Sequence, residues 1–223
     1  MITVDNITKS YPIQGFSRYY VFRNLSLHIP PKTSVGILGR NGAGKSTLLR
    51  LIGGIELPDR GSVRSDGLIS PPVGLSGGFS GKLTGRDNAR FVARISGDDR
   101  DMERERVEFV HAFSELGDFF ERPVETYSAG MRARLAFSIS MSFDFDYYLI
   151  DELTAVGDRG FKDKAKKTFD DLKGRATVIM VSHNLAEMQR DCDVGIYLRK
   201  GEVHYFPSID DAIATYKEET RPQ

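Results

Sequence analysis

Nine consecutive residues, Gly39-Arg40-Asn41-Gly42-Ala43-Gly44-Lys45-Ser46-Thr47, carry the spacing G-x-x-x-x-G-K-[ST] at every required position. In that pattern the glycines let the backbone curl, so that successive N–H groups face phosphate oxygens. The chemistry this predicts is capture of a nucleoside triphosphate. Lys45 reaches the β- and γ-phosphates, and the Ser46 hydroxyl ligates Mg2+.

Three further clusters have the chemistry to act on such a ligand. Tyr147-Tyr148-Leu149-Ile150 is an apolar run that ends in Asp151 and Glu152. An aspartate at a strand end can hold Mg2+, and the next carboxylate can accept a hydrogen bond from a water aimed at the γ-phosphate. Hydrolysis, beyond binding, is therefore expected. Tyr127-Ser128-Ala129-Gly130-Met131 opens a helical pattern, and a helix N-terminus with small residues suits an anion. One chain already has its own phosphate loop, so a second such site suggests that two copies share nucleotides. Ser182-His183-Asn184 follows the apolar run ending at Val181. A histidine at the C-terminal edge of a parallel strand sits where ligands bind in such sheets. Taken alone, the Ser128 stretch also reads as an ordinary helix cap and His183 as a structural histidine.

The elements that must position these residues alternate. Residues 34–38 form a short apolar strand before the glycine-rich loop, and residues 46–52 a helix after it, whose dipole adds attraction for an anion. Residues 147–150 and 176–181 are continuous apolar runs of buried parallel-strand type. Residues 194–198 and 202–206 flank Lys200-Gly201 as a hairpin, and residues 208–217 close as a helix with Asp210 and Asp211 in its first turn. Strand-like alternation marks residues 2–4 and 21–27, with a loop expected at 12–20 and a turn at 58–61. Residues 71–85 read as a long irregular loop. From 85 to 143 the period is helical. The charged stretch 101–108 there reads as a solvated face, backed by Val107, Val110 and Phe113, and Ser128 suits the N-cap of the helix at 128–143.

Composition narrows the partners. Lys and Arg number 31 against 31 Asp and Glu, so the formal charge is zero and a nucleic-acid partner is not expected. A single cysteine, Cys192, allows no internal disulfide and no cysteine zinc site. The first six residues carry neither a basic nor an apolar segment, so no secretory signal is expected. No apolar run approaches the ~18 residues of a membrane span. A cytosolic location is expected, with any membrane association through a partner.

The order of parts resembles the nucleotide-binding subunit of ABC transporters along essentially the whole chain. Ser128 precedes Asp151 by 23 positions and Asp151 precedes His183 by 32, as in that family. The signature Tyr127-Ser128-Ala129-Gly130-Met131, Arg40, and Leu83-Thr84-Gly85-Arg86-Asp87-Asn88 look like the polysaccharide-export branch. Residues 72–79 and 150–158 are similar to capsular polysaccharide exporters of Gram-negative bacteria. The resemblance implies an α/β P-loop NTPase fold with a mixed sheet core, an antiparallel β subdomain and an inserted α-helical subdomain at about 84–143, all in one domain over 1–223. It implies an ATPase with ATP and Mg2+ as its cofactors. Gly39, Asn41, Gly42, Ala43, Gly44, Lys45, Ser46 and Thr47 would hold phosphates, and Ser46 and Asp151 the metal. Glu152, His183 and Lys45 would be catalytic, Glu152 polarising the attacking water and His183 steadying it. Tyr11 would stack on adenine, with Tyr19, Tyr20 and Phe22 as rivals. Ser128, Ala129 and Gly130 would meet the nucleotide of a second copy, and Asp158 would touch that copy.

The implied partners are that second copy, in an ATP-sandwich homodimer, and integral permease subunits that handle the exported polysaccharide. The protein would lie peripherally on the cytoplasmic face of the inner membrane, with the permease near residues 71–90 and the helical subdomain. Several O-chain exporter subunits carry an extra C-terminal carbohydrate-binding domain, and this chain stops at Gln223, which favours capsule over O-antigen or teichoic acid. A soluble cassette acting on nucleic acid or ribosomes is a more distant alternative; such proteins have tandem cassettes or coiled-coil insertions, and neither is seen here. The sequence departs from the family in Tyr127, in Ala129, and in Ser80, which stands where the family has a metal-sensing glutamine. Serine is too short to serve as a direct metal ligand there.

Overall fold

The computed structural model describes residues 1–13, 17–73, 79–151, 159–172, 174–199 and 201–220. Its strands are β1 (Ile2–Pro12), β2 (Arg18–Ile29), β3 (Val35–Gly39), β4 (Arg60–Ser65), β5 (Tyr147–Asp151), β6 (Thr177–Val181), β7 (Val194–Arg199) and β8 (Glu202–Phe206). Its α-helices are α1 (Lys45–Ile52), α2 (Gly85–Ile95), α3 (Arg100–Ser114), α4 (Ala129–Met141), α5 (Arg159–Leu172), α6 (Leu185–Asp191) and α7 (Ile209–Thr220). The chain divides into two compact units. The first comprises Met1–Pro72, Phe145–Glu152 and Leu172–Gln223; the second comprises Val73–Asp144 and Leu153–Asp171.

The first unit holds both sheets. One has the order β5-β6-β3-β7-β8, parallel except for the β7–β8 hairpin; the other is antiparallel, in the order β2-β1-β4. All five residues of β3 and of β6 are buried, as expected of parallel strands covered on both faces. One apolar core joins the two sheets, with Ile2, Val4, Ile7 and Ile29 packing in the same cluster as Ile37, Leu48, Leu149 and Ile179. The mixed sheet plus antiparallel sheet and helices is the α/β P-loop NTPase class.

Two local expectations change. The strands β1 and β2 run on to Pro12 and back from Arg18, so Pro12 and residues 18–20 of the loop expected at 12–20 are ladder; Tyr11 pairs with Tyr19 and Ser10 with Tyr20. The turn at 58–61 passes directly into β4, which alternation does not reveal, because among Arg60–Ser65 only Val63 is apolar and none is fully buried.

The second unit is helical. Thr84 caps α2, accepting from the Asp87 N–H at 2.9 Å, and Asp99 caps α3, accepting from Asp101 and Met102. Ala89, Val107, Val110, Phe120, Tyr127, Leu135 and Ile139 form its core. The charged stretch at 101–108 is only partly a solvated face. Arg106 and Asp98, with side chains 13% and 6% exposed, pair at 2.6 Å, and Glu103 accepts from Arg90 and Arg94.

Candidate functional site

The C-terminal ends of β3, β5 and β6 lie side by side, with Asp151 opposite Val181 and Val181 opposite Ile37. Beyond them opens a cavity of about 550 Å3, lined by Tyr11, Tyr19, Asn41, Gly42, Lys45, Ser46, Asp151 and His183, with Val21, Gly44, Thr47 and Val181 between them. Five separate stretches of sequence therefore meet at one place, at the strand ends where ligands enter open parallel sheets.

The loop from Gly39 into α1 forms its floor. Gly42 and Gly44 have φ of 81° and 100°, a region that a side chain disfavours. The turn is closed by the Ala43 N–H donating to the Arg40 carbonyl at 3.0 Å, and α1 begins with the Leu48 N–H donating to Gly44 at 2.8 Å. Gly44 offers no side chain to cap the helix, and the first-turn N–H groups of an α-helix have no intrahelical acceptor. The Lys45 ammonium donates to the carbonyls of Gly39 at 2.7 Å and Arg40 at 3.2 Å. The cationic head is thus tethered inside the loop rather than extended into solvent, and only 9% of the residue is exposed. Donors, helix dipole and one ammonium make an environment for a polyphosphate.

Asp151 and Ser46 supply one carboxylate and one hydroxyl to the same cavity. No cluster of three His, Cys, Asp or Glu side chains suited to a metal occurs among the described residues. That donor set is poor for a protein-caged ion and fits Mg2+, which keeps waters and takes phosphate oxygens as ligands. His183 sits between two fixed points. Buried Ser182 donates to Glu187 at 2.9 Å and accepts from the Asn184 N–H, while Asn184 caps α6 through Ala186 and Glu187. Glu152 and Asp158 lie outside the described residues.

The aromatic wall separates the adenine candidates. Phe22 is fully buried beneath Gly44 and cannot meet a ligand. Tyr20 lies outside this cavity, at an adjoining one bordered by Gly42 and Ala43, with the Arg23 guanidinium 3.6 Å above its ring. Tyr11 and Tyr19, cross-strand neighbours, remain. The Tyr11 hydroxyl donates to Glu56 at 2.6 Å, and Glu56 also accepts from Arg50 of α1 at 2.6 Å and pairs with Lys9 at 3.1 Å. Burial pushes the Glu56 carboxyl up, but hydrogen bonds from Tyr11, Lys9 and Arg50 outweigh it and hold the group below its ordinary value. This carboxylate ties the Tyr11 ring to the helix that leaves the phosphate loop. Glu56, between a glycine turn and Pro58, gives no motif by which the sequence alone could single it out.

In the second unit, Ser128 is the N-cap of α4, its hydroxyl accepting from the Met131 N–H at 3.2 Å. Ser128 and Gly130 line a cavity of about 410 Å3 with Met131, Arg134, Glu115 and Phe119; Ala129 is exposed and does not line it. Tyr127 is buried in the core and donates to the Phe119 carbonyl at 2.6 Å, so the aromatic ring acts as a strut below the turn. Ser80 is exposed, with its backbone latched to the side chain of Asn88 through two hydrogen bonds.

A phosphate loop at the end of a buried parallel strand, in one cavity with an aspartate at the end of β5 and a histidine just past β6, defines a nucleotide-binding cassette of the P-loop class. Residues 22–155 match the ABC transporter family model, and the chain belongs to that family. It is 52% identical over 220 residues to the polysialic acid transport ATP-binding protein KpsT of Escherichia coli, spanning 98% of this chain and all of that one. It is 43% identical over 217 residues to the capsule polysaccharide export ATP-binding protein CtrD of Neisseria meningitidis, spanning 97% and 98%. The fold is also that of the ATP-binding cassette MJ0796, solved as a post-hydrolysis dimer with ADP and Pi, at a TM-score of 0.80 and 24% identity over 94% of this chain and 99% of that one. The protein is thus an ATP-binding transport ATPase.

Proposed function

We propose that this chain is the ATP-hydrolysing subunit of a transporter that moves capsular polysaccharide across the bacterial inner membrane. What carries the reading is the convergence of the phosphate loop, Asp151 and His183 on one cavity, in a chain similar from end to end to polysaccharide export subunits.

In this reading backbone N–H groups within Asn41 to Ser46 hold the phosphates, and Lys45 turns from its carbonyl tethers to the β- and γ-oxygens. Ser46 and Asp151 hold Mg2+, which when bound neutralises phosphate charge. Glu152 orients and polarises the attacking water, and His183 donates a hydrogen bond toward the γ-phosphate. Tyr11 stacks on adenine. Ser128, Ala129 and Gly130, on the first turn of α4, meet the γ-phosphate held by a second copy, with Asp158 against that copy. ATP favours the closed pair and hydrolysis releases it, so the work comes from a difference in affinity between two states. No helix of the described residues is long and apolar enough to cross a membrane, which agrees with a peripheral subunit on the cytoplasmic face, held by separate permease subunits. Phe91, Ile95 and Met102, exposed on α2 and α3, give those subunits an apolar place to dock.

Replacing Glu152 with Gln tests the catalytic assignment. ATP binding is retained while turnover falls by about 100-fold or more, the scale expected for losing a general base. Hydrolysis at the parental rate would remove Glu152 from the mechanism. Loss of capsule staining when the gene is deleted separates capsule export from O-antigen or teichoic acid export.

A further inference from the structure

The β1–β2 hairpin has two faces, and the nucleotide uses one of them. Side chains alternate along a strand, so Tyr11, Tyr19 and Val21 point into the phosphate-loop cavity while Ser10, Arg18 and Tyr20 point the other way. On that reverse face lies a second cavity, of about 520 Å3. It crosses all three strands of the antiparallel sheet. Arg18 and Tyr20 come from β2, Thr8 and Ser10 from β1, and Arg60, directly opposite Thr8, from β4. Arg23 completes the rim.

Three guanidiniums face this space against one carboxylate, Asp59. That carboxylate is already engaged, accepting from the Ser10 hydroxyl at 2.5 Å and the Ser10 N–H at 2.7 Å, with Arg18 at 3.5 Å. Arg23 lies over the Tyr20 ring and Arg60 opens to solvent; neither has a carboxylate partner among the described residues. Unpaired arginines gathered in a concavity are costly by mutual repulsion, and their forked donors match phosphate oxygens. We infer that this cavity is a second anion site, which takes a small soluble molecule carrying a multivalent phosphate on Arg18, Arg23 and Arg60. Thr8, Ser10, Arg18 and Arg60 line it away from the phosphate loop, while Tyr20 and Arg23 stand at its edge and also border a cavity with Gly42 and Ala43. Ser10 is the pivot, since its hydroxyl accepts from the Arg18 Nε at 2.7 Å and thereby aims that guanidinium along the sheet.

Inorganic pyrophosphate is the probe, titrated calorimetrically into the full chain with and without ATP. The parent takes up two equivalents, of which ATP displaces one. The double substitution Arg18→Ala and Arg60→Ala takes up a single equivalent, displaced by ATP, and its affinity for ATP stays within twofold of the parent. The second equivalent also weakens more than tenfold between low and physiological salt, as contacts between several cations and a polyanion do. A parent that binds only one equivalent, or a double variant that still binds two, overturns the inference. So does a protein that binds one equivalent yet sediments with phosphatidylglycerol vesicles through the same arginines, which would make the face a membrane contact.

Discussion

Gly44 bears two constraints at once, and each removes the freedom to carry a side chain. Its φ of 100° lies in the left-handed region, and a Cβ there would come within 2.6 Å of Val21 and 2.7 Å of the Phe22 ring. Both neighbours are buried on β2, so neither can swing aside without opening the core. Gly44→Ala should cost about 1 kcal/mol in backbone conformation and a further ~1–3 kcal/mol in overpacking. For a chain of this size that lowers the thermal midpoint by roughly 4–16 °C, read by calorimetry, and ATP affinity falls with it. Glu56 acts at the same scale. Its carboxyl titrates below the unfolded value, so the stability it contributes is full above about pH 4.3 and is lost as pH falls through the lower, folded value. Glu56→Gln should therefore cost about 1 kcal/mol at pH 6, with the two melting curves converging as the pH falls through that lower, folded value. A constant difference across that range would mean that the carboxylate's charge is not what holds Tyr11 and Arg50.

At the scale of elements, one turn of backbone is matched to two side chains. Gly85 starts α2 where a Cβ would lie 2.5 Å from the Tyr127 hydroxyl and 3.0 Å from the Phe120 ring. The tyrosine in the signature stretch and the glycine at the helix start are thus one packing solution. Gly85→Ala should destabilise by about 1–3 kcal/mol, and adding Tyr127→Phe, which removes the nearest atom, should recover part of that loss in a double-mutant cycle by urea unfolding. Strict additivity would show that the two do not touch. The legibility of the elements follows the same physics. β3, β5 and β6 could be read from sequence because strands buried on both faces are unbroken apolar runs, and α4 because Ser128 both caps and begins a regular apolar spacing. β4 could not, since a half-exposed strand of arginine, glycine and serine carries no alternation. The far ends of β1 and β2 were hidden by Pro12 and the polar tyrosine-rich stretch after it, although that ladder decides which tyrosines reach the nucleotide cavity. At the site, motif spacing brought Lys45, Ser46, Asp151 and His183 to one place, while the hairpin register sets Tyr19 beside Tyr11, and Glu56 emerges only from its hydrogen bonds to Tyr11 and Arg50.

At the scale of the whole molecule, the phosphate loop belongs to the first unit and the Ser128 turn to the second, and each borders its own cavity. In the proposed reading, either cavity alone is a partial site. The account requires that the two be completed by a second copy of the chain, so that one ATP is held by the loop of one protomer and the α4 turn of its partner. The most direct measurement is the solution mass of Glu152→Gln protein by light scattering, with and without ATP. ATP should convert a 25.0 kDa species into one of twice that mass, and adding Ser128→Arg should block the conversion while leaving ATP bound. A Glu152→Gln protein that binds ATP yet stays monomeric, together with parental turnover undiminished by Ser128→Arg, would contradict the account.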